Sequence, residues 1–256
     1  MTDAGELKEL VEAYLAELAL TPELHGQAES VQYSIAVGGK RVRPVICLAT
    51  AEAAGADPVR ALPAAAALEL VHTFSLVHDD LPALDDDAER RGHPSTWKQF
   101  GEAVGILAGD ALLAEAFRLA LSYSTPAVAR ELAQATLGMI GGQYLDITGT
   151  ASDLASLHRL KTGCLFAASV GLALWVAEVP EREQAAWRAF GDELGLLFQV
   201  VDDVLDADGY AAELGPEAAR RLAHEVAERA QSKLDRVEAD TSVLSEIVAG
   251  LAVRTA

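Results

Sequence analysis

The chain has little basic charge and few cysteines. Its 20 lysines and arginines are set against 39 aspartates and glutamates among 256 residues, which gives a formal net charge of −19 at pH 7. We therefore expect neither nucleic acid nor an anionic membrane as a partner. The two cysteines, Cys47 and Cys164, lie in apolar helical stretches. They indicate buried reduced thiols in a cytoplasmic protein rather than a disulfide or a metal site.

Long apolar runs and strand patterns are also missing. The longest apolar run, Cys164 to Ala177, is shorter than the roughly 20 residues that a membrane span requires, so it predicts a buried core helix. The acidic, polar N-terminus predicts no signal peptide. No stretch alternates apolar and polar residues, and no linker or low-complexity segment is found. With 51% hydrophobic residues, the pattern predicts one all-α domain over residues 1–256.

Helical spacing of apolar residues covers most of the chain. The predicted helices of the central and C-terminal parts are Glu102 to Ser122, Ala127 to Ile147, Cys164 to Ala177, Arg182 to Asp206, Pro216 to Ala239 and Thr241 to Val253. Another helix leads from Asp57 to Asp79. Gly141 and Gly142 fall inside a predicted helix. Each glycine destabilises that helix by about 1 kcal/mol. We therefore expect close packing or a substrate wall at this pair.

The most informative stretch runs from His72 to Arg91 and has five aspartates within nine positions: Asp79, Asp80, Asp85, Asp86 and Asp87. Asp79 and Asp80 come at the end of a predicted apolar helix, which Pro82 stops. Carboxylates are costly to desolvate unless a cation neutralises them. Oxygen ligands without histidine or cysteine suit Mg²⁺, especially when a phosphate supplies further ligands.

A second acidic group runs from Phe198 to Asp206. At about 3.6 residues per turn, Gln199, Asp202, Asp203 and Asp206 fall on one side of a helix. One acidic run alone is usually a solvated helix face. Two runs, each at the end of an apolar helix, favour a pair of groups that clamp magnesium ions and a diphosphate.

Basic residues occur beside these groups. Lys40, Arg41 and Arg43 follow a Gly-Gly turn and lie near a predicted helix N-terminus, where an anion is favoured. Arg90 and Arg91 follow the first acidic stretch; they can bind phosphate or balance the aspartates. His72 lies two turns before Asp79, on nearly the same face. It is interpreted equally well as a hydrogen-bonded core residue or as a site residue.

In this order, the motifs resemble those of the trans-isoprenyl diphosphate synthases, above all the bacterial short-chain enzymes. The matching segments are Gly38 to Pro44, His72 to Arg91, Phe100 to Glu102, Ala108 to Ala111, Gly141 to Gln143, Lys161 to Gly163 and Phe198 to Asp206. The resemblance implies an isoprenoid-synthase-type helical bundle with a deep central pocket between aspartate-rich helices. It also implies a cytoplasmic homodimer.

The same resemblance implies head-to-tail condensation of isopentenyl diphosphate with an allylic diphosphate, either dimethylallyl or geranyl diphosphate. Several Mg²⁺ ions would bind with the allylic diphosphate, and the implied metal ligands are Asp79, Asp80, Asp85, Asp202, Asp203 and Asp206. The implied catalytic residues are Asp79, Asp80, Asp85, Lys161 and Asp202. Isopentenyl diphosphate would contact Lys40, Arg43, His72 and Arg91, and the allylic site would contain Arg90, Lys161, Thr162 and Gln199.

Phe74 lies five residues before Asp79, where an aromatic side chain in the family often forms the floor of the tail pocket. This implies a fifteen-carbon product, farnesyl diphosphate, with geranylgeranyl or geranyl diphosphate as alternatives; Phe74 could also simply pack in the core. A terpene cyclase is an alternative enzyme class, but it would need only one diphosphate site, whereas Lys40, Arg43 and Arg91 indicate a second one. A non-catalytic partner subunit with this fold is a further alternative.

One part of the family pattern is missing after the second acidic group. The family carries a loop of roughly twenty residues there, and one of its lysines closes over the allylic diphosphate. Here Gly209 is followed directly by Tyr210, which looks like the tyrosine at the far end of that loop. Either the loop is deleted, or the sequence omits a mobile segment. We expect omission, and hence a separation of Gly209 and Tyr210 well above the roughly 3.8 Å of a trans peptide.

Overall fold

A computed structural model describes residues 2–254 of the chain. Its α-helices are α1 Ala4–Ala16, α2 Gln27–Ala36, α3 Val42–Ala53, α4 Pro58–Asp79, α5 Thr96–Phe100, α6 Glu102–Ala120, α7 Ala127–Thr148, α8 Leu154–His158, α9 Cys164–Val176, α10 Ala185–Asp206, α11 Gly209–Leu214, α12 Pro216–Leu234 and α13 Ser242–Val253. Short 3₁₀ turns occur at Pro22–Leu24 and Glu181–Glu183, and a π-helical turn at Arg159–Gly163. The predicted domain limits, 1 and 256, lie outside the described residues.

Helices α4 and α9 form the centre of the bundle. Helix α4 packs against α3, α6 and α9, while α10 packs against α9 and α12. The run Ala64–Val71 of α4 is buried throughout, and its four consecutive alanines allow neighbouring helices to approach closely. Helix α9 is apolar on all sides and buried over most of its length, as expected of a core helix. The predicted all-α, single-domain bundle is therefore confirmed.

The predicted helix boundaries are close to those of the structure, with local differences. Helix α10 begins at Ala185 rather than Arg182, because Glu181–Glu183 form a separate 3₁₀ turn after Pro180. Helix α12 ends at Leu234, before the predicted end at Ala239, and turns follow it. Such ends depend on tertiary contacts that a periodic pattern does not contain.

A two-stranded hairpin interrupts the helical structure, so the expectation of no strand is wrong for four residues. Strand β1 Glu89–Arg90 pairs antiparallel with β2 His93–Pro94. The two turn residues, Arg91 and Gly92, both have positive φ, at 54° and 78°, which is typical of a tight hairpin turn. Two-residue strands are too short to show alternation in the sequence. The hairpin fixes the positions of Arg90 and Arg91.

The main chain runs through Gly209 and Tyr210 without a gap. Both residues belong to α11, so the expected wide separation between them is not found. The connection is short: Ala207 ends α10 in the left-handed conformation, and Gly215 separates α11 from α12. This short connection lies where the family resemblance implies a longer loop.

Two helical stretches, Pro58–Asp79 and Leu154–Val176, are long and apolar enough to cross a membrane by length and composition. The second is longer than the apolar run of the sequence because α8 and the π-helical turn extend α9. Within the fold, 67% and 56% of their apolar windows are buried. Core helices of soluble proteins pass the same test, so these stretches are weak indications of a membrane span.

Candidate active site

A large pocket with a volume of about 950 Å³ lies between α4, α7 and α10. The segment before α3, the hairpin and the π-helical turn complete its wall. The predicted site residues that line it are Lys40, Arg43, His72, Phe74, Asp79, Arg90, Arg91, Lys161, Thr162, Gln199 and Asp202. The structure therefore brings the acidic and basic motifs to one cavity. The other predicted residues, Asp80, Asp85, Asp203 and Asp206, lie off its wall.

Asp79 ends α4 and faces the pocket. Gln143 of α7 donates a hydrogen bond from Nε2 to Asp79 Oδ1, at 2.9 Å. The backbone N–H of Asp85 donates to the carbonyl oxygen of Asp79, also at 2.9 Å, which folds the acidic loop back onto the helix end. Burial raises the pKa of Asp79 to about 6; Lys161 lowers it and Asp85 raises it. A cation in the pocket would stabilise the ionised form of this carboxylate.

Asp80 has a different environment from its neighbour. It is buried and accepts hydrogen bonds from Arg90 in an ion pair. Burial raises the pKa of Asp80, and the Arg90 guanidinium opposes that shift. Arg90 also lies 3.5 Å from Asp87 and lines the pocket. It therefore balances the aspartates and faces the cavity at the same time.

The second acidic group divides in a similar way. Asp202 faces the pocket, and burial raises its pKa; Asp206 adds to the shift and Lys40 opposes it. Asp206 is exposed at the last turn of α10. Asp203 is only 2% exposed. Neighbouring residues on a helix point about 100° apart, which is enough to turn Asp203 into the protein.

Asp203 holds the short connection after α10. Its Oδ1 accepts from Gln199 Nε2 at 2.6 Å, and its Oδ2 accepts from the backbone N–H of Tyr210 at 2.8 Å. His158 Nδ1 lies 3.7 Å from Asp203 Oδ2, and the His158 ring packs edge-on against Tyr210. Asp203 therefore joins α8, α10 and α11, and its oxygens are already used within the protein.

The basic side of the pocket contains partly or fully buried cations. Burial lowers the pKa of Arg43 to about 10, and its guanidinium lies 4.4 Å from the Phe166 ring centroid. Within residues 2–254, Arg43 Nε is buried without a hydrogen-bond partner. Burial, with Arg43 and Arg91 nearby, lowers the pKa of His72 well below its ordinary value. His72 is therefore neutral. The arginines beside it favour the binding of an anion.

Arg41 also lines the pocket, but its guanidinium is bonded within the protein, a role that the sequence pattern did not reveal. Its guanidinium donates to Glu69 at 2.6 Å, to Glu12 at 3.1 Å and to the carbonyl oxygen of Ile35 at 2.8 Å. Arg41 precedes α3 with φ of 50°, an uncommon conformation for a non-glycine residue. The buried ion pairs hold this turn, which carries Lys40 on the pocket.

Lys161 and Thr162 lie on the π-helical turn, a feature often found at functional sites. Lys161 Nζ donates to Asp146 at 2.5 Å. A Cβ added to Gly142 would lie 2.4 Å from the Lys161 backbone nitrogen, so close packing requires glycine there, as predicted. Nothing lies within 4 Å of a Cβ at Gly141. Close packing therefore does not explain Gly141.

The apolar end of the pocket includes residues that the sequence analysis did not assign to the site. Phe74 is 7% exposed and lines the cavity. Ile140, Tyr144 and Ile147 of α7 also line it, and all three are exposed. Their spacing of three and four residues was the available signal. Gln143 was part of a noted motif but was not assigned a role.

The residues fit a magnesium ion that arrives with a substrate. Within the described part of the chain, no three side chains of histidine, cysteine, aspartate or glutamate are grouped to hold a metal. Asp79 and Asp202 nevertheless both line the pocket. Mg²⁺ is usually bound by one or two carboxylates, with waters and substrate phosphates as its other ligands. The donor set matches that mode of binding.

Comparison with known proteins gives the family. Residues 26–225 match the family model for polyprenyl synthetase. The chain belongs to the polyprenyl synthetase family. It is 39% identical over 229 residues to the farnesyl diphosphate synthase of Geobacillus stearothermophilus, an alignment that covers 82% of this chain and 76% of the relative. It is 44% identical over 213 residues to large subunit 1 of the chloroplastic heterodimeric geranylgeranyl pyrophosphate synthase of Arabidopsis thaliana.

The plant alignment covers 76% of this chain but only 57% of the relative's length. The solved structure of a geranyltransferase from Legionella pneumophila superposes with a TM-score of 0.87, at 32% identity, over 98% of this chain and 96% of that one. This polyprenyl synthetase is therefore a transferase, and the comparisons support trans-prenyl diphosphate synthase function. The family generally uses Mg²⁺. Membership argues against the terpene cyclase alternative.

The different settings of Asp202 and Asp203 generate a prediction. Asp203→Asn removes an acceptor from Gln199 or from the Tyr210 N–H, so we expect a loss of about 1–3 kcal/mol in the free energy of unfolding. The rise in melting temperature that MgCl₂ with pyrophosphate gives should remain in the Asp203→Asn protein. Asp202→Asn, the matched control, should keep its stability and lose that stabilisation. Thermal and urea unfolding measure both; loss of the ligand effect in a fully stable Asp203→Asn protein would contradict the assignment.

Proposed function

We propose that this protein condenses isopentenyl diphosphate head-to-tail with dimethylallyl or geranyl diphosphate, and that its main product is farnesyl diphosphate. The observation that carries this proposal is one pocket that has acidic residues at Asp79 and Asp202 and several basic residues at Lys40, Arg43 and Arg91. Two sites for anions suit two diphosphate substrates. A reaction of a single diphosphate would need only one of them.

In this proposal, the basic part binds isopentenyl diphosphate. Arg43 is buried against an aromatic face without a partner for its Nε, so an incoming diphosphate would supply the missing acceptor and charge. Lys40 and Arg91 reach the same cavity. His72, held neutral by burial and by nearby arginines, can donate one hydrogen bond without adding charge.

The allylic diphosphate is assigned to the acidic part, with Arg90, Lys161, Thr162 and Gln199 beside it. Asp79 and Asp202 are proposed as the main metal ligands, and Asp85 as a further one next to Asp79. Asp85 is also off the pocket wall, but its backbone N–H bonds to the Asp79 carbonyl oxygen, which keeps it beside that ligand. Asp80 and Asp203 are weaker candidates because they are engaged in internal bonds, and Asp206 because it is exposed at the end of α10. Bound Mg²⁺ would stabilise the negative charge that develops on the leaving diphosphate.

The apolar end of the pocket suits the carbon skeleton of the reaction. The bond between the allylic carbon and the diphosphate oxygen breaks, and the double bond of isopentenyl diphosphate forms the new carbon–carbon bond. A proton is then lost, and the released diphosphate is the proposed acceptor. Phe74, Ile140 and Ile147 cover this part of the wall. With the prenyl chain bound against them, these side chains would help to keep water from the allylic cation.

The product assignment rests on Phe74. It lines the pocket one and a half turns deeper in α4 than Asp79, and its ring can stop a growing tail. The relatives include both a farnesyl and a geranylgeranyl diphosphate synthase. We assign the fifteen-carbon product because an aromatic floor near the acidic end leaves less depth for a tail.

A non-catalytic partner subunit is the second candidate function. The observation in its favour is the short connection between α10 and α12, in which Asp203 is bonded to the Tyr210 N–H. This connection brings no lysine toward the allylic site, since none occurs between Asp206 and Leu214. Under this alternative, the purified chain would be inactive alone and active only with a second, different subunit.

The central functional prediction concerns Asp79. Asp79→Ala should reduce turnover by several orders of magnitude while leaving the fold intact, because it removes a metal-binding carboxylate at the position of charge development. The assay follows prenyl diphosphate formation from isopentenyl and dimethylallyl diphosphates with MgCl₂. Glu228→Ala, an exposed acid of α12, is the control and should retain activity. Near-normal activity of Asp79→Ala would refute the assignment, and an inactive wild-type chain would favour the partner-subunit role.

Product length provides a second functional prediction. Phe74→Ala should shift the products toward longer chains, because the removed ring opens the end of the tail pocket. Products are dephosphorylated and separated by chain length. An unchanged product spectrum, at comparable turnover, would mean that Phe74 only packs the core.

We further propose that the protein is a homodimer. Ile106 and Leu107 of α6 and Leu137 of α7 are large apolar residues that are 47%, 55% and 64% exposed, and a second copy would cover them. Leu107→Glu should give a monomer by light scattering, whereas Val59→Glu, at an exposed apolar residue on another face, should not. A monomeric wild-type protein would refute the proposal.

A cytoplasmic location is also proposed. Cys47 and Cys164 are both free thiols, as expected in a reducing compartment. Fractionation of cells that produce the tagged protein tests this proposal, and recovery in the membrane fraction after a salt wash would contradict it.

A further inference from the structure

His78 lies one helical turn after Phe74 and contacts it. The two ring centroids are 5.3 Å apart, and the ring planes meet at 82°, so the rings pack edge to face. Residues four apart on a helix are neighbours on its surface. The side chain of His78 therefore limits the directions in which the Phe74 ring can turn.

The His78 ring is itself fixed by α6. Its Nε2 lies 3.0 Å from the carbonyl oxygen of Ile106. A carbonyl oxygen only accepts hydrogen bonds, so His78 Nε2 carries the proton in this contact. This bond anchors the histidine to the neighbouring helix, in addition to its contact with Phe74.

Gly109 makes room for this arrangement. A Cβ added to Gly109 would lie 2.1 Å from His78 Nε2 and 2.3 Å from Cδ2. Any side chain at position 109 would therefore displace the ring from its slot against α6. The glycine, the hydrogen bond to Ile106 and the contact with Phe74 together hold the His78 ring in one orientation.

We propose that His78 is a positioning residue that holds the Phe74 ring across the tail pocket and thereby limits product length. The proposal rests on the proposed function, in which Phe74 is the floor of that pocket. Without the His78 ring, Phe74 could turn toward the empty slot beside Gly109. The end of the pocket would then open, although Phe74 itself is still present.

His78 also lines the pocket, so it could limit the tail by direct contact instead. The two roles differ in a double-substitution experiment. If His78 acts through Phe74, then removing His78 from a Phe74→Ala protein changes the products little further. If His78 is an independent wall, its removal lengthens the products by the same factor in both backgrounds.

The first test therefore compares the products of the wild type, His78→Ala, Phe74→Ala and the double variant. We expect His78→Ala to raise the ratio of twenty-carbon to fifteen-carbon product about tenfold, the scale at which hydrophobic pockets discriminate small size differences. The double variant should match Phe74→Ala. His224→Ala, at an exposed histidine of α12, is the matched control and should keep the wild-type ratio. An unchanged ratio in His78→Ala, or equal shifts in both backgrounds, would overturn the proposal.

A second test does not require turnover. Calorimetry with MgCl₂ compares the binding of farnesyl and geranylgeranyl thiolodiphosphates, which resist ionisation. The proposal predicts that His78→Ala improves the relative affinity for the longer analogue about tenfold, and that the same substitution has little effect in Phe74→Ala. An unchanged relative affinity overturns it. If the wild type forms no product, the proposed function fails, and this affinity ratio alone decides the role of His78.

Discussion

The structure depends on the cost of keeping carboxylates partly buried around one pocket. Burial raises the pKa of Asp79, Asp80 and Asp202, so each resists ionisation unless a cation lies near it. The protein provides partial compensation, with Arg90 on Asp80 and with Lys161 and Lys40 near the other two. The negative charge that remains uncompensated favours the binding of divalent cations, and bound cations favour the binding of a diphosphate. In the proposed function, substrate and metal would complete a charge balance that the side chains leave open.

The same constraint explains why neighbouring aspartates have different roles. In each Asp-Asp pair, one carboxylate faces the pocket and the other is used inside the protein. Asp80 is paired with the hairpin through Arg90, and Asp203 holds α11 through the Tyr210 N–H. In each pair, the buried aspartate holds in place the hairpin or helix that lies next to the aspartate facing the pocket. In the proposed function, the acids that do not face the pocket would therefore brace the metal-binding ones.

Much of this architecture could be predicted from the sequence, because the helices are long and strongly periodic. The acidic and basic motifs were also expected to lie around one pocket. That expectation came from the family resemblance, because helical periodicity alone does not predict contacts between distant helices. What could not be predicted depends on partners distant in sequence. Asp203 was placed with Asp202 on one helix face, but its burial depends on Tyr210 and Gln199. The slot for His78 exists only because α6 presents Gly109 to α4.

The central claim is that Asp79 and Asp202 bind divalent metal together with a diphosphate. Anomalous diffraction from crystals grown with MnCl₂ tests it directly, with and without pyrophosphate. The account predicts anomalous peaks bound to Asp79 and Asp202 only when pyrophosphate is present, and no peak at Asp203. Peaks of equal strength without pyrophosphate, or a metal held by Asp203 in place of Asp202, would contradict it.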